Sequence, residues 1–221
     1  MASKRTKAIT FRRARKPEQR AERKANILDT ARSIARSEGA IHLTISELGR
    51  HAQLTKASIY RYFESLEHVL LLILVSELHD LADECGDALS ASKPSMQTVA
   101  SRIAAAYVRR PLLCELLGMV SSILEHNVGS DAIAEAKLDI LRSSDRMARS
   151  MADAVPGLSM SDAQWVSHSA ALYVAGAWPA AHPSKAAAAV LGRPEFRGFQ
   201  PDFAVEFPRF VLVLLRGVVL P

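Results

Sequence analysis

Apolar side chains recur three and four positions apart along most of the chain. This spacing places them on one face of an α-helix. The stripe from Ile27 to Ala35 predicts a first helix over 17–38, stopped by Gly39. Only the stretch 37–44 and the end of the chain depart from the pattern. We therefore predict an all-α protein.

Later segments show the same periodicity, interrupted where proline, glycine and serine cluster. Ser65 is a suitable cap for a long helix that reaches Ala91. The first two turns of this helix are apolar all round, so they must be buried. The proline-rich stretch 179–201 predicts a long connection with at most a short helix. Further helices are predicted at about 96–109, 111–127, 131–154, 161–178 and 202–219.

The stretch that ends at Phe63 predicts two short helices joined by a tight turn. Thr44 and Glu47 fit a capping box, in which each side chain binds the backbone amide of the other residue. Thr55 caps the second helix, where Ile59 and Phe63 point inward because they are four positions apart. The other side carries a cation, hydroxyls and phenols: Lys56, Ser58, Tyr60, Arg61 and Tyr62. A short helix with such a face suits the major groove of double-stranded DNA.

Basic residues concentrate in the first third of the chain. Residues 1–66 hold 15 Lys and Arg against 6 Asp and Glu, whereas the remainder holds 13 against 17. A basic segment joined to a mildly acidic body is typical of a nucleic-acid-binding unit attached to another domain. Residues 1–16 carry seven basic side chains and no acidic one, so we expect a solvated, flexible arm. Such an arm either stays in solvent or collects phosphates, and the sequence favours neither.

Other features limit the classes of function. Cys85 and Cys114 are too few for a disulfide framework, so we expect free, buried thiols in a reducing cytoplasm. The charged N-terminus is unlike a signal peptide, and the longest apolar run, Val69 to Val75, is too short to span a bilayer. No metal-ligand spacing, glycine-rich phosphate loop or nucleophile signature occurs. We therefore expect a cytoplasmic protein with no membrane partner, metal, cofactor or catalytic activity.

The block TKASIYRYF at 55–63, followed by Ser65 and Glu67, resembles the TetR family of transcriptional regulators. The resemblance covers roughly residues 20–75, and the later part is similar only in its pattern of helices, long loop and apolar last helix. It implies a basic arm at 1–16, a three-helix helix-turn-helix DNA-binding domain at 17–66 and a helical domain at 67–221. The last domain would bind a small effector and form a homodimer through its last two long helices.

Within the matched block, the resemblance assigns roles to individual residues. Thr44 matches a helix cap that touches phosphate, Ser46 a position that can face bases, and Tyr62 a phosphate contact. Thr55 again caps the recognition helix. The groove-facing positions are matched by Lys56, Ser58, Tyr60 and Arg61.

The chain departs from the family pattern at three positions. Gln53 and Ala57 stand where the family usually has small glycines, and we expect both to be tolerated. Leu66 stands where a phosphate-binding lysine is common, so one backbone anchor is missing. The basic arm or His68 is expected to replace that contact.

Apolar side chains at helical spacing between 103 and 151 are either plain core or the lining of a cavity for a largely apolar effector. The candidate pocket residues are Tyr107, Leu113, Leu116, Met119, Val120, Ile123, Met147, Met151 and, from a later helix, His168. For Trp165 and His168, packing in the core or at an interface is preferred over effector contact. A dimeric regulator without any effector is the alternative, and it would lack an open cavity.

The last predicted helix presents an apolar face wider than one core contact can cover, which calls for a partner. A twofold dimer that joins this helix and the one at 161–178 from each chain fits best. The candidate interface residues are Trp165, Leu172, Phe207, Phe210 and Leu214.

Overall fold

The computed structural model describes residues 3–90 and 94–219, with side chains from residue 17 onward. Within these ranges the chain is helical and contains no β-strand, which confirms the predicted all-α class. The helices are α1 (Ser3–Glu38), α2 (Ile45–Ala52), α3 (Lys56–Ile59), α4 (Leu66–Ser90), α5 (Met96–Val108), α6 (Pro111–Met119), α7 (Ser130–Ala154), α8 (Met160–Ala181), α9 (Lys185–Leu191) and α10 (Phe203–Val219). Short 3₁₀ turns lie at Ala40–His42 and Pro194–Phe196, and a π-helical turn lies at Val120–Leu124.

The first three helices form a small unit around one apolar cluster. Ile27 and Ala31 of α1 are buried, as are Leu48 of α2 and Ile59 of α3. Phe63, four residues after Ile59, is buried as well, so the inward stripe predicted from the sequence is confirmed. This packing leaves the opposite sides of α2 and α3 free to face a partner.

Helix α4 connects this unit to the remaining helices. It contacts α1 on one side and α5, α6 and α7 on others, which is why its first turns are apolar all round. Helix α8 packs between α6 and α7, and α10 packs on α5 and α8. Phe207 of α10 lies edge-on to Tyr107 of α5, with ring centroids 5.2 Å apart.

Two helix ends differ from the predicted ones. Helix α1 begins at Ser3 instead of near Pro17, because lysine, arginine and alanine before the proline are good helix formers. The side chains of the predicted flexible arm lie outside the described residues, so its mobility and DNA contacts stay predictions. Helix α8 continues through Pro179 to Ala181, since a proline in the last turn removes only one backbone hydrogen bond.

A helix predicted to be continuous over 111–127 is interrupted by the π turn. The Glu125 N–H donates to the Val120 carbonyl at 3.2 Å, one residue further along the chain than in an α-helix. The extra residue moves the inward position from Ile123 to Leu124. Leu124 is therefore buried, whereas Ile123 is 37% exposed.

Candidate nucleic-acid interface and internal cavity

Two threonine caps set the starts of α2 and α3. Thr44 Oγ1 accepts a hydrogen bond from the Glu47 N–H, and Thr55 Oγ1 accepts one from the Ser58 N–H, both at 3.2 Å. The predicted return bond from the Glu47 side chain to Thr44 is not formed. The Glu47 carboxylate lies 3.6 Å from the Arg50 guanidinium instead, because a full opposite charge one turn away competes with a neutral amide.

The turn between α2 and α3 brings the two backbones close together. Gln53 adopts the left-handed conformation with φ 54°, and the Leu54 N–H donates to the Gly49 carbonyl at 2.8 Å. A Cβ atom at Gly49 would lie 2.7 Å from the Leu54 carbonyl oxygen, which is too close for any side chain. Glycine at this position therefore permits the tight angle between the two helices.

Most of the predicted DNA contacts are exposed side chains. Thr44, Ser46, Thr55, Lys56, Tyr60 and Arg61 are exposed, and Ser58 and Tyr62 are half-buried. The regular part of α3 ends at Ile59, earlier than predicted, so the last three contacts lie on the following turn. The Phe63 N–H still donates to the Ile59 carbonyl at 3.2 Å, which preserves the helical register.

Helix α1 adds basic residues that the motif alone did not indicate. The Arg20 guanidinium lies 5.8 Å above the Tyr62 ring and donates to the Arg61 carbonyl at 3.3 Å. Arg20, Arg23 and Arg61 line one open cleft with Tyr62. The only sequence signal for this group was the basic charge of the first helix. The cleft combines guanidinium groups and a phenol, which suits a phosphate backbone.

His68 lies at the start of α4 and has a structural contact. Its Nδ1 accepts a hydrogen bond from the Glu64 N–H at 3.3 Å, and its ring lies edge-on to Phe63. Burial lowers the pKa of His68 below its ordinary value, so the ring is mainly neutral at pH 7. This environment argues against His68 as the replacement for a phosphate-binding lysine.

A cavity of about 360 Å³ lies among α4, α5, α6, α7 and α8. Its lining is mainly apolar, with leucines of α4 on one wall and serines of α7 and α8 on another. The residues are Leu74, Leu78, Leu81, Ala82, Tyr107, Leu117, Val120, Ser121, Lys137, Ile140, Leu141, Ser143, Ser144, Met147, Ser167, His168, Ala171, Leu172 and Ala175. Such a site suits an apolar molecule that makes a few hydrogen bonds.

The sequence located only part of this lining. Of the predicted pocket residues, the cavity includes Tyr107, Val120, Met147 and His168. The prediction was wrong for Leu113, Leu116, Met119 and Met151, which are buried in the surrounding core, and for Ile123, which the π turn rotates outward. Helical spacing identifies inward side chains, but it cannot separate a cavity wall from solid core.

The α4 leucines are the largest group of cavity-lining residues that the sequence analysis did not predict. Their helix is apolar all round, which indicated burial against several neighbours but not an open space beside one of them.

Polar groups are sparse in the cavity. The Tyr107 side chain is 1% exposed. Burial raises its pKa, so the hydroxyl stays protonated. Ser144 and Ser167 face each other at 3.2 Å, and the Lys137 ammonium lies 2.7 Å from the Glu125 carboxylate.

The two cysteines are free and buried, as predicted. Burial raises the pKa of both Cys85 and Cys114 to about 12, so neither supplies a thiolate at neutral pH. Across residues 3–90 and 94–219, no group of His, Cys, Asp and Glu side chains has the arrangement to hold a metal ion. None of the described helices has both the length and the apolar character to cross a bilayer.

Exposed apolar side chains lie on the outer faces of α8 and α10. Trp165 and Leu172 are 52% and 62% exposed and share a face of α8 because they are seven positions apart. Val205 and Val213 of α10 are exposed as well. Leu172 also lines the cavity, whereas Trp165, Val205 and Val213 are exposed apolar side chains of the last long helices that do not line it.

Phe207 was predicted to lie at an interface, and this prediction was wrong. It is fully buried in its own protomer, where Tyr107 and Tyr173 contact its ring, because α5 and α8 cover most of the α10 stripe. Phe210 and Leu214, also predicted at the interface, are half-buried in the protomer.

Comparisons with known proteins match both halves of the chain to regulators. Residues 27–73 match the family described as bacterial regulatory proteins, tetR family, and residues 75–220 match the tetracyclin repressor-like C-terminal domain. The HTH-type transcriptional repressor KstR of Rhodococcus jostii (strain RHA1) is 30% identical over 139 residues, which is 61% of this chain. The match spans 62% of that relative, less than two thirds of its length.

Two solved structures of similar proteins cover most of the chain. A TetR family transcription regulator of Shewanella sp. PV-4 is 17% identical with a TM-score of 0.49, over 87% of this chain and 95% of that protein. The regulator PfmR of Thermus thermophilus is 15% identical with a TM-score of 0.48, over 86% of this chain and 97% of that protein.

Proposed function

The chain belongs to the tetR family of bacterial regulatory proteins, and on that premise we propose that it is a dimeric repressor released from DNA by a small molecule. Its dimer binds a palindromic operator through α2, α3 and the turn after α3. The observation that carries the DNA-binding part is the exposure of Lys56, Tyr60 and Arg61 on the short helix α3 and the turn that follows it. The basic cleft beside Arg20 and Arg23 supports contacts to the phosphate backbone.

Repression and release rest on different observations. The relative KstR is described as a transcriptional repressor, which supports the same direction of regulation for this chain. The cavity of about 360 Å³ beside α4 supports the effector. An effector-independent dimeric regulator is the second candidate function, and the exposed apolar face of α8 and α10 supports a dimer in either case.

Selection of binding sites from a random DNA pool tests the DNA-binding part. We expect two inverted half-sites, centred about 10 bp apart or a multiple of that spacing. The Arg61→Ala variant should lose about 1–3 kcal/mol of preference at one base position. Arg149→Ala, which removes an exposed arginine far along α7, is the control and should select the wild-type site. An unchanged site and affinity in Arg61→Ala would exclude this placement of Arg61.

Native mass spectrometry of the purified protein tests the effector. A compound that copurifies should be extracted, added back and examined for its effect on operator affinity. Because coupling between two sites is reciprocal, the operator must weaken binding of the compound by the same factor. A compound that occupies the cavity without changing operator affinity would leave the effector-independent function in place.

A further inference from the structure

A buried carboxylate connects α4 to α1. Glu77 of α4 is 2% exposed, and its Oε1 lies 2.7 Å from Arg36 Nη2 and 3.4 Å from Arg32 Nε, both on α1. Only the contact with Arg36 has hydrogen-bond geometry. These three residues form what we call the Glu77 clamp.

Because Glu77 is buried, its two arginine partners must stay close to the carboxylate. A carboxylate removed from water is tolerated only while opposite charges stay close to it. Arg32 Nε is itself buried and has no hydrogen-bond partner, so it contributes charge to the site and little directional bonding. Movement of α1 relative to α4 would therefore leave the Glu77 carboxylate buried without its arginine partners.

Other polar contacts between the first unit and the later helices are more exposed. The Ile41 N–H donates to Glu115 of α6 at 3.2 Å, and Glu64 accepts from the Gly129 N–H at 2.7 Å. Both bonds lie at the surface, where water can replace them at small cost. Among the described contacts between α1 and α4, the Glu77 clamp is the charged one, and its carboxylate is buried although Arg36 is exposed.

The same part of α4 faces the cavity. Leu78 is the next residue after Glu77, and Leu81 lies one helical turn after Glu77. Both leucines line the cavity. A shift of this segment of α4 therefore moves both the cavity wall and the carboxylate that binds α1.

We propose that Glu77 is a positioning residue for operator binding: it sets the angle of the DNA-binding unit against the C-terminal helices. In a dimer, this angle fixes the distance between the two recognition surfaces. The clamp thus determines which half-site spacing the dimer accepts, whereas Lys56, Tyr60 and Arg61 determine which bases it prefers. The inference rests on the proposed function.

Glu84 provides a matched control on the same helix. It lies two turns after Glu77, on nearly the same face of α4, and it also pairs with two arginines, Arg109 and Arg110. Its partners follow α5 and precede α6, so the pair joins elements of the C-terminal part only. Replacement of Glu84 removes an ionic contact with two arginines, more exposed than the Glu77 contact, that makes no ion pair to α1 although it lies beside Arg36 in one cleft.

The experiment measures affinity for a series of operators whose half-sites are unchanged and whose central spacer differs by one base pair. One base pair moves a half-site by about 3.4 Å and rotates it by about 35°. The wild-type dimer should bind its best spacer at least about tenfold more tightly than either neighbour. In Glu77→Gln this ratio should fall below about threefold, with the same base preference in each half-site. Glu84→Gln should keep the wild-type ratio.

Arg36→Gln is the second variant: Arg36 is exposed, and its replacement removes the hydrogen bond to Glu77 while Arg32 still places a positive charge 3.4 Å from the carboxylate. It should relax the spacing as Glu77→Gln does, even if the latter fails to fold. Spacing discrimination that survives in Arg36→Gln, or in a folded Glu77→Gln, overturns the inference while operator binding stands. A wild-type protein that selects no inverted repeat would instead overturn the proposed function.

Discussion

At the scale of single residues, the backbone of Gln53 makes a sharp prediction. Its left-handed φ of 54° costs an ordinary residue about 1 kcal/mol relative to glycine. This cost explains why glycine is usual at the family position that Gln53 matches. Gln53→Gly should therefore raise the free energy of unfolding by about 0.5–1 kcal/mol in urea denaturation. Ala52→Gly, at the last residue of α2 where the backbone is right-handed, is the control and should not raise it. A loss of stability in Gln53→Gly would contradict this account.

Glu84 supplies a second residue-scale prediction. Burial alone would raise the pKa of Glu84, but hydrogen bonds from Arg109 and Arg110 outweigh it and hold the pKa below the ordinary 4.5. A lowered folded-state pKa stabilises the fold above the unfolded pKa, and this contribution disappears as the pH falls through the folded pKa. Glu84→Gln should thus be less stable than wild type by about 1 kcal/mol at neutral pH, with a smaller difference at an acidic pH below the ordinary 4.5.

Urea denaturation at both pH values measures this difference. Asp87→Asn is the control, since Asp87 is an exposed carboxylate on the same helix. An equal deficit of Glu84→Gln at the two pH values would show that the effect is not ionic.

At the scale of elements, the shortness of α3 makes its cap important. The regular helix is a single turn, and Thr55 Oγ1 accepts from the Ser58 N–H at its start. Thr55→Ala should cost about 1 kcal/mol of stability and weaken operator binding, because Lys56 and Tyr60 then lose their fixed positions. Ser95→Ala removes the equivalent cap of α5 and is the matched control. It should cost a similar free energy and leave operator affinity unchanged, when both variants are measured below their unfolding transitions.

The elements themselves were largely predictable from the sequence. Stripes such as Ile27 to Ala35, together with proline and glycine interruptions, located the helices because local periodicity and local breakers determine where helices lie. The long-range choices were not predictable. The sequence showed that Phe207 is apolar and inward-facing, but not that α5 and α8 of the same chain cover it. Likewise, nothing local indicated that Glu77 and Arg36, 41 positions apart, form a buried pair.

The exposed side chains of the candidate DNA-binding site were more predictable than the cavity lining for a physical reason. Its residues lie on one continuous segment, so turn chemistry and helix periodicity place Lys56 and Tyr60 on one face without tertiary information. The cavity is a space left among five helices, and its lining depends on how those helices cross. A single π turn was enough to turn Ile123 outward, and no periodicity argument could include that extra residue.

At the scale of the whole molecule, the exposed faces of α8 and α10 predict the assembly. Trp165 is 52% exposed on α8 and is not one of the residues that line the cavity. Trp165→Asp should therefore convert a dimer at micromolar concentration into monomers, because a charge would be buried without a partner. Sedimentation velocity measures the change. Leu138→Asp alters an equally exposed apolar residue on α7 and should leave the dimer intact. A wild-type monomer at that concentration would refute the prediction.

The π turn at Val120–Leu124 also has a consequence for the evolution of this sequence. A π turn holds one residue more than an α-helical turn, so loss of a single codon within it would restore the regular period. The side chains after the deletion would rotate by about 100°, and the irregular stretch 125–129 would absorb the shift before α7 begins. Val120 and Ser121 line the cavity at this turn. Descendants of this sequence can therefore reshape this wall of the cavity in one mutational step, by deletion of one residue from the π turn.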